Sequence, residues 1–172
     1  MNIIKTLPHH IPQVLACYRD ASLFLHKQGI DQWQNQYPNL ESLRQDMQIQ
    51  GSYVLVDNDD QVLATMALLF EDDPYYEFIK EGAWSFPSPY GVVHRLCVNS
   101  KTRHQGYASL LLEYAIDECK IKQMIGCRID THPCNYVMQS LIRKHHFVYS
   151  GKVYVANHAL RFGFERRLLE KD

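Results

Sequence analysis

The chain has 172 residues, of which 46% are hydrophobic, so it is long and apolar enough to bury a core and to fold as one domain over residues 1–172. Lys and Arg number 18 against 19 Asp and Glu, which gives a formal net charge of −1. This balance excludes a global electrostatic attraction to nucleic acid or to an anionic membrane, so any anion site must be local.

The N-terminal half predicts a strand, two helices and a β-hairpin. Apolar residues recur first with alternating and then with helical spacing, and the cluster DNDD separates two β-prone runs. The predicted elements are a strand at 2–6, a helix from 11 that ends before Gly29, a helix at 40–49 and hairpin strands at 53–56 and 62–70. The loop before the second helix carries two aromatic residues, Trp33 and Tyr37.

The stretch 71–90 is irregular and rich in acidic and aromatic residues, which predicts a long surface excursion. After it, GVVHRLCV is almost continuously apolar, as is typical of a strand covered on both faces. Further strands and helices follow with clear periodicity. They are a helix at 105–122, a strand at 127–132, a helix from 135 and strands at 147–155 and 160–167.

Nothing in the sequence predicts a membrane segment or a metal site. The N-terminus MNIIKTLPHH lacks a signal-peptide core, and the apolar run 62–70 is too short to span a bilayer, so we expect a cytoplasmic protein with no membrane partner. The nine histidines include no HxxxH pair, and the odd set of five cysteines includes no CxxC pair, so we expect no metal and reduced, mostly buried thiols. The cysteines are Cys17, Cys97, Cys119, Cys127 and Cys134.

The hexapeptide RHQGYA, residues 103–108, lies between the apolar strand and the helix at 105–122. A glycine at such a turn lets an anion approach the backbone, while the first N–H groups of the helix and its dipole favour negative charge. Arg103 adds a positive charge, so a pyrophosphate fits this pattern. The alternative is an ordinary surface turn into an amphipathic helix. GxxxxGK[ST] and GxGxxG are absent, which disfavours nucleotide triphosphate hydrolysis and dinucleotide binding.

With these motifs, the chain resembles the GNAT superfamily of N-acetyltransferases. Arg103, Gly106 and Ala108 match the signature [Q/R]xxGx[G/A] after a central strand, with RLCV before it. IDTHPCN on the next strand, with its asparagine opening the following helix, and Phe147 at the start of a later strand extend the match over residues 92–155. The order of the N-terminal elements extends it over almost the whole chain.

The resemblance implies an α+β fold, a twisted mixed sheet of six or seven strands with helices on both faces. Its fourth and fifth strands would splay around acetyl-coenzyme A, the acyl-donor cosubstrate. The backbone of Leu96, Cys97 and Val98 would pair with pantetheine, and Asn135 would hydrogen-bond the coenzyme. The pyrophosphate would lie on Arg103, His104, Gln105, Gly106, Tyr107, Ala108 and Ser109.

Acetyl transfer needs a neutral amine, a stabilised oxyanion and a proton for the leaving thiolate. The N–H of Val98 suits the oxyanion. His94, on the central strand, is the candidate base, although a hydrogen-bonded core histidine is an equal alternative. Asp130 is a weaker candidate, and the alternative is that it pairs with Arg128 or Arg95.

The family's usual general acid is a tyrosine in the helix after the asparagine, but Ile142 occupies that position in NYVMQSLIRKHHF. Tyr136 or Tyr154 is therefore the expected replacement, unless solvent protonates the thiolate or catalysis has been lost. A covalent acetyl-cysteine on Cys97 or Cys134 is a less favoured route.

The acceptor cleft would use aromatic residues from two loops, with acidic residues of 71–90 attracting a cationic amine. The alternative is a solvated acidic loop with its aromatic residues packed on the core. The expected acceptor-site residues are Trp33, Tyr37, Tyr76, Trp84 and Tyr90.

The sequence therefore predicts an N-acetyltransferase that moves an acetyl group to a primary amine of a small molecule, peptide or protein by direct attack. The alternative is a non-catalytic acyl-coenzyme A-binding or regulatory module of the same fold. The expected partners are acetyl-coenzyme A and the amine, without nucleic acid. Homodimers are common in the family, but the sequence fixes no interface.

Overall fold

The computed structural model describes residues 1–169, which form four α-helices and one seven-stranded mixed sheet. The helices are α1 (Ile11–Lys27), α2 (Leu40–Gln48), α3 (Tyr107–Ile121) and α4 (Tyr136–Lys144). The strands are β1 (Asn2–Lys5), β2 (Ser52–Val56), β3 (Val62–Leu69), β4 (Tyr90–Val98), β5 (Gly126–Thr131), β6 (Val148–Val155) and β7 (Ala159–Arg167), in the sheet order β1-β2-β3-β4-β5-β7-β6. Each predicted element is present, with ends shifted by one or two residues.

Internal contacts divide the chain into two compact units. The first contains residues 1–68 and 94–111, in which β1, β2 and β3 form an antiparallel meander. Val14 and Tyr18 of α1 and Leu43 of α2 are buried with Val54 of β2 in the core of this unit. These positions on α1 and α2 are the apolar stripes that the sequence periodicity predicts.

The second unit contains residues 69–93 and 112–169. Here the first half of β4 pairs in parallel with β5, from Tyr90 opposite Gly126 to Val93 opposite Ile129. β5 pairs antiparallel with β7, and β7 forms a hairpin with β6. The single domain over 1–172 stays a prediction, and residues 170–172 lie outside the described residues.

The predicted surface excursion is a structured segment of the second unit. It is anchored on the edge strand β6, because Lys80 and Lys152 exchange backbone hydrogen bonds of 2.8 and 2.7 Å. Its acidic residues face solvent, but Tyr76 and Phe86 are only 1% and 3% exposed. The excursion therefore lies on the surface with its charged residues and contributes aromatic rings to the core.

A residue with left-handed backbone geometry interrupts β4. Arg95 has a φ of 53°, which costs a non-glycine residue about 1–3 kcal/mol unless its surroundings stabilise it. The run of buried residues from Tyr90 to Val93 ends there, since His94 and Arg95 are both half-buried and Leu96 is buried again. Arg95 therefore changes the direction in which the last residues of β4 face.

No helix within residues 1–169 is both long enough and apolar enough to cross a membrane.

Candidate functional site

The chain between β4 and α3 is held in place by hydrogen bonds to β3. Asn99 donates its backbone amide to the carbonyl of Leu63 at 2.8 Å and its side-chain amide to the carbonyl of Val62 at 3.0 Å. Its Oδ1 accepts the amide of Lys101 at 3.1 Å. Thr102 closes the turn by donating its amide to the carbonyl of Asn99. The segment that follows, with the hexapeptide RHQGYA, therefore starts from a fixed point.

Gly106 gives this turn its shape. Its φ of 81° is left-handed, and a Cβ at this position would meet no atom within 4 Å. Its carbonyl accepts the first hydrogen bond of α3, from Leu110 at 3.1 Å, so the amides of Tyr107, Ala108 and Ser109 precede the helical ladder. The open space and these amides suit the approach of a phosphate.

Arg103 lies beside this turn, with its guanidinium carbon 4.4 Å from the ring centre of Phe24 on α1. Ser100 and Asp20 link the same two elements by a hydrogen bond of 2.5 Å. His104, Gln105 and Gly106 are exposed residues. The predicted pyrophosphate residues therefore form one continuous and accessible segment of the first unit.

The residues predicted to pair with pantetheine have mixed exposure. Leu96 and Cys97 are buried, at 4% and 9%, whereas Val98 is half-buried. Burial of Cys97 raises the pKa of its thiol well above its ordinary value, so the thiolate that a covalent route requires is disfavoured. This observation supports direct transfer over an acetyl-Cys97 intermediate.

A polar network lies immediately before these residues in the first unit. Arg95 donates from Nε and Nη2 to the two carboxylate oxygens of Asp46, at 2.7 and 2.6 Å, and from Nη1 to the hydroxyl of Tyr37 at 2.7 Å. Burial raises the pKa of Asp46, while Arg95 and, more weakly, the neighbouring His94 oppose this shift. His94 and Tyr37, predicted as base and acceptor residue, thus belong to one network.

Trp33 has a different environment. Its ring packs edge-on against Tyr18, with centres 6.0 Å apart, and its carbonyl accepts a 2.6 Å hydrogen bond from Ser22. It is half-buried against the core of the first unit, whereas the ring of Tyr37 is 43% exposed. Of the two predicted acceptor residues in this loop, Tyr37 is the more accessible.

The other predicted acceptor residues lie together in the second unit. Tyr76, Trp84 and Tyr90 line a cavity of about 660 Å³. A cation of the chain already contacts these rings, because the guanidinium carbon of Arg128 lies 4.3 Å from Trp84 and 3.8 Å from Tyr90. The acidic residues Asp72, Asp73 and Glu77 line the same cavity.

Buried charges hold this cavity in shape. Arg128 faces Glu165 at 3.8 Å, with both side chains at most 4% exposed, and it donates to the carbonyl of Phe86. Glu165 accepts the amide of Ser85 at 2.7 Å. Burial lowers the pKa of Arg128, an effect that Tyr90 and Glu165 oppose.

Asp130 has a partner that the sequence did not predict. Its carboxylate accepts a 2.7 Å hydrogen bond from the hydroxyl of Tyr76, whose pKa is raised by burial and by this carboxylate. The carboxylates that face the two arginines are Glu165 for Arg128 and Asp46 for Arg95. A strand pattern cannot show which distant side chain reaches a charge.

The candidate acids of the second unit lie in different environments. Tyr136 is 71% exposed at the start of α4, and Tyr154 is half-buried below the ammonium group of Lys80, at 5.4 Å. Ile142 is fully buried, so the position of the family's usual tyrosine belongs to the core here. Asn135 caps α4 by accepting the amide of Met138 at 3.2 Å.

The five cysteines are free, and only Cys134 is exposed, which confirms the prediction of mostly buried thiols. A possible metal-ligand cluster nevertheless exists at His9, His10 and Asp60. Nδ1 of His10 accepts the amide of Leu7, so its Nε2 carries the proton and donates to Asp60 at 3.1 Å. In this tautomer Nε2 of His10 has no lone pair to offer a metal. The three side chains therefore form a hydrogen-bonded cluster.

Sequence reasoning missed Asp46 and the roles of Arg95 and Arg128. The sequence does show an arginine inside each of two predicted strands, Arg95 in GVVHRLCV and Arg128 in CRIDTH. A charge buried in a strand requires a partner, so these two positions indicated that partners exist. The partners lie 49 and 37 residues away in the chain, and no local pattern identifies them.

Comparisons with known proteins identify the family and the fold of this chain. The acetyltransferase (GNAT) family model matches residues 17–147, while no curated protein matches the chain. A GNAT acetyltransferase structure from Streptococcus agalactiae 2603 is 26% identical, covers 98% of this chain and 96% of its own, and superposes with a TM-score of 0.88.

More distant structures share the fold. A putative acetyltransferase from Staphylococcus aureus Mu50 is 21% identical over 97% of this chain and 99% of its own, with a TM-score of 0.73. A ribosomal-protein-alanine N-acetyltransferase from Brucella melitensis is 17% identical over 98% and 100%, with a TM-score of 0.69. Because the family model covers well over half of the chain and the mixed sheet has the same architecture, the chain belongs to the GNAT family of acetyltransferases, which transfer an acyl group from acyl-coenzyme A.

Proposed function

We propose that this protein is an N-acetyltransferase that moves the acetyl group of acetyl-coenzyme A to a primary amine of a small molecule, peptide or protein. The observation that carries the proposal is the turn at Gly106, which leaves open space in front of the first amides of α3 beside Arg103. Backbone donors, a helix dipole and a guanidinium together suit a pyrophosphate.

Each part of acetyl-coenzyme A is then assigned to one segment of the chain that binds it. The amides of Tyr107, Ala108 and Ser109 bind the pyrophosphate, with the backbone at 103–106 around it. The end of β4 at Leu96, Cys97 and Val98 pairs with pantetheine, and Asn135 adds a hydrogen bond from the start of α4. The N–H of Val98 stabilises the oxyanion, because a backbone donor is fixed in place before the reaction.

The acceptor amine must lose a proton before it attacks, since an alkylamine has a pKa near 10.4, about that of lysine. His94 takes this proton in our proposal, and its neighbour Asp46 favours the positive charge that the imidazole then carries. Trp33 and Tyr37 in the first unit are one candidate region for acceptor binding. The cavity lined by Tyr76, Trp84 and Tyr90 in the second unit is another. The acidic residues around that cavity favour a cationic acceptor.

A calorimetric titration with acetyl-coenzyme A tests the donor site. We expect Gly106→Asp to weaken binding at least about tenfold, or about 1.4 kcal/mol, because the carboxylate fills the space and repels phosphate. Gly29→Asp is the matched control, because Gly29 also has a positive φ, of 70°, and open space around it, but lies at the end of α1. An equal loss of affinity for acetyl-coenzyme A in both variants would contradict the proposed pyrophosphate site at Gly106. No binding by the wild type would contradict it as well.

Turnover distinguishes an enzyme from a non-catalytic coenzyme A-binding module, the second candidate that the buried Ile142 motivates. Release of free coenzyme A is measured with a thiol reagent across a panel of small amines, peptides and proteins. The wild type and Cys134→Ser, which lacks the one exposed cysteine, are measured side by side. We expect saturable, amine-dependent release. Binding without release on every acceptor would favour the non-catalytic module.

A further inference from the structure

The reaction needs a proton donor that α4 does not supply at the family's usual position. Ile142 occupies that position; its side chain carries no acidic proton and is 0% exposed, so it cannot protonate the leaving thiolate. A donor elsewhere must combine an acidic proton, access from solvent or cleft, and a fixed position. In the first unit, Tyr37 combines these properties.

Tyr37 is fixed by a buried ion pair on the strand that leads to the pantetheine-binding residues. Arg95 and Asp46 are only 10% and 5% exposed in their side chains, and the guanidinium engages both carboxylate oxygens. The remaining nitrogen of the guanidinium, Nη1, donates to the hydroxyl of Tyr37 at 2.7 Å. A planar guanidinium held on two sides leaves little freedom for the direction of the third bond.

The hydroxyl of Tyr37 can also give up its proton. Because its oxygen accepts from Arg95, its own proton points away from the guanidinium. Tyr37 is 43% exposed as a residue, so it is open to the approach of a substrate.

The charge state of Arg95 agrees with this role. Burial alone would lower the pKa of its guanidinium, but Tyr37 and Asp46 raise that pKa overall. Arg95 therefore stays positively charged, and Asp46 neutralises it without occupying the nitrogen that faces Tyr37.

We infer that Tyr37 is a catalytic residue that donates the proton to the departing thiolate of coenzyme A, with Arg95 and Asp46 as its positioning residues. The inference rests on the proposed function. The amine nitrogen bonds to the acyl carbon, the carbon–sulfur bond breaks, and its electron pair stays on sulfur, which takes the phenolic proton. The proton that the amine nitrogen loses passes to the base, and solvent returns one to Tyr37.

Tyr37→Phe tests the inference. At pH 7 we expect kcat to fall about 100-fold, the usual scale for loss of a general acid, while the KM for the amine stays within about twofold. The ratio of wild-type to variant kcat should shrink as the pH rises above about 8.5, where a thiolate leaves without a proton. Tyr75→Phe is the control, because Tyr75 is 44% exposed and should leave kcat unchanged.

A double-mutant cycle tests the positioning role. We expect Arg95→Lys to lower kcat in the wild-type background, because a lysine cannot reproduce the three directed bonds, and to lower it no further in Tyr37→Phe. Thermal melting confirms that each variant is folded. If Arg95→Lys unfolds, Asp46→Asn, which keeps one carbonyl oxygen for Arg95, completes the same cycle.

The outcomes separate this inference from the proposed function. Wild-type turnover with an unchanged Tyr37→Phe kcat, a kcat ratio that does not vary with pH, or an effect on KM alone would overturn the role of Tyr37. Additive losses in the cycle would overturn the positioning role of Arg95. No turnover by the wild type on any amine would overturn the proposed function, and the inference with it.

Discussion

At the scale of single residues, burial decides which titratable groups of this protein can react. Cys17 lies in the core of the first unit, where burial raises the pKa of its thiol to about 11. Thiol reagents attack the thiolate, so such a cysteine is inert near neutral pH. Cys134 differs because it is exposed.

We therefore expect one of the five cysteines to react with iodoacetamide in the folded protein at pH 8. Mass spectrometry should find a single carbamidomethyl group, and Cys134→Ser should abolish it. The same reagent in denaturant should modify all five, which controls for oxidation. Rapid labelling of Cys17 in the folded state would contradict its burial.

His145 should make stability depend on pH. Burial lowers its pKa below the ordinary 6.5, with Lys144, Arg166 and His146 acting in the same direction and Glu113 opposing them. As the pH falls through 6.5, the unfolded chain takes up more protons at this position than the folded one, so stability is lost. We expect His145→Gln to reduce the loss of Tm between pH 7 and pH 5, measured against His158→Gln on the exposed β6–β7 turn.

At the scale of elements, close contact of main chains determines how the excursion packs on β6. Gly82 faces the backbone of β6, where a Cβ would overlap the carbonyl oxygen of Ser150 and lie 2.8 Å from Cα of Gly151. The neighbouring amide of Ala83 donates to the same carbonyl at 3.0 Å. The excursion thereby covers part of an edge strand that would otherwise expose its backbone.

Gly82→Ala should loosen this contact and destabilise the protein by about 1–3 kcal/mol, as overpacking against rigid backbone does. Thermal unfolding should show a Tm lower by several degrees, and hydrogen exchange should increase at residues 80–83 and 150–152. Ala83→Ser, with an exposed side chain, is the control. Unchanged exchange in Gly82→Ala would show that the excursion does not depend on this approach.

At the scale of the whole molecule, a ligand that binds only the folded chain must raise its stability. At a coenzyme A concentration of about 100 times Kd, the gain is about 2.7 kcal/mol. For a chain of 172 residues this corresponds to a rise in Tm of roughly 5–10 °C.

Thermal unfolding with and without coenzyme A measures this rise. Gly29→Asp should keep the shift and Gly106→Asp should lose most of it, because only the second substitution affects the proposed pyrophosphate site. A shift of equal size in Gly106→Asp would locate the binding elsewhere in the molecule.

The sequence by itself determined the elements of this protein, because helical and strand periodicity are local properties of consecutive residues. It also determined the turn at Gly106, since a glycine between a strand and an amphipathic helix needs no distant partner to be recognised. The apolar stripe of α3, with Leu111, Leu112 and Ala115 fully buried, followed from the same spacing.

Only the tertiary structure decided where the charges go. Arg95 pairs with Asp46, 49 residues away, and with Tyr37, 58 residues away, while Asp130 accepts a hydrogen bond from Tyr76. A buried charge requires a partner, but sequence spacing does not identify that partner, because chain folding brings it from a distant element. The candidate proton donor Tyr37 depends on such a contact, so the sequence named it only as an acceptor residue.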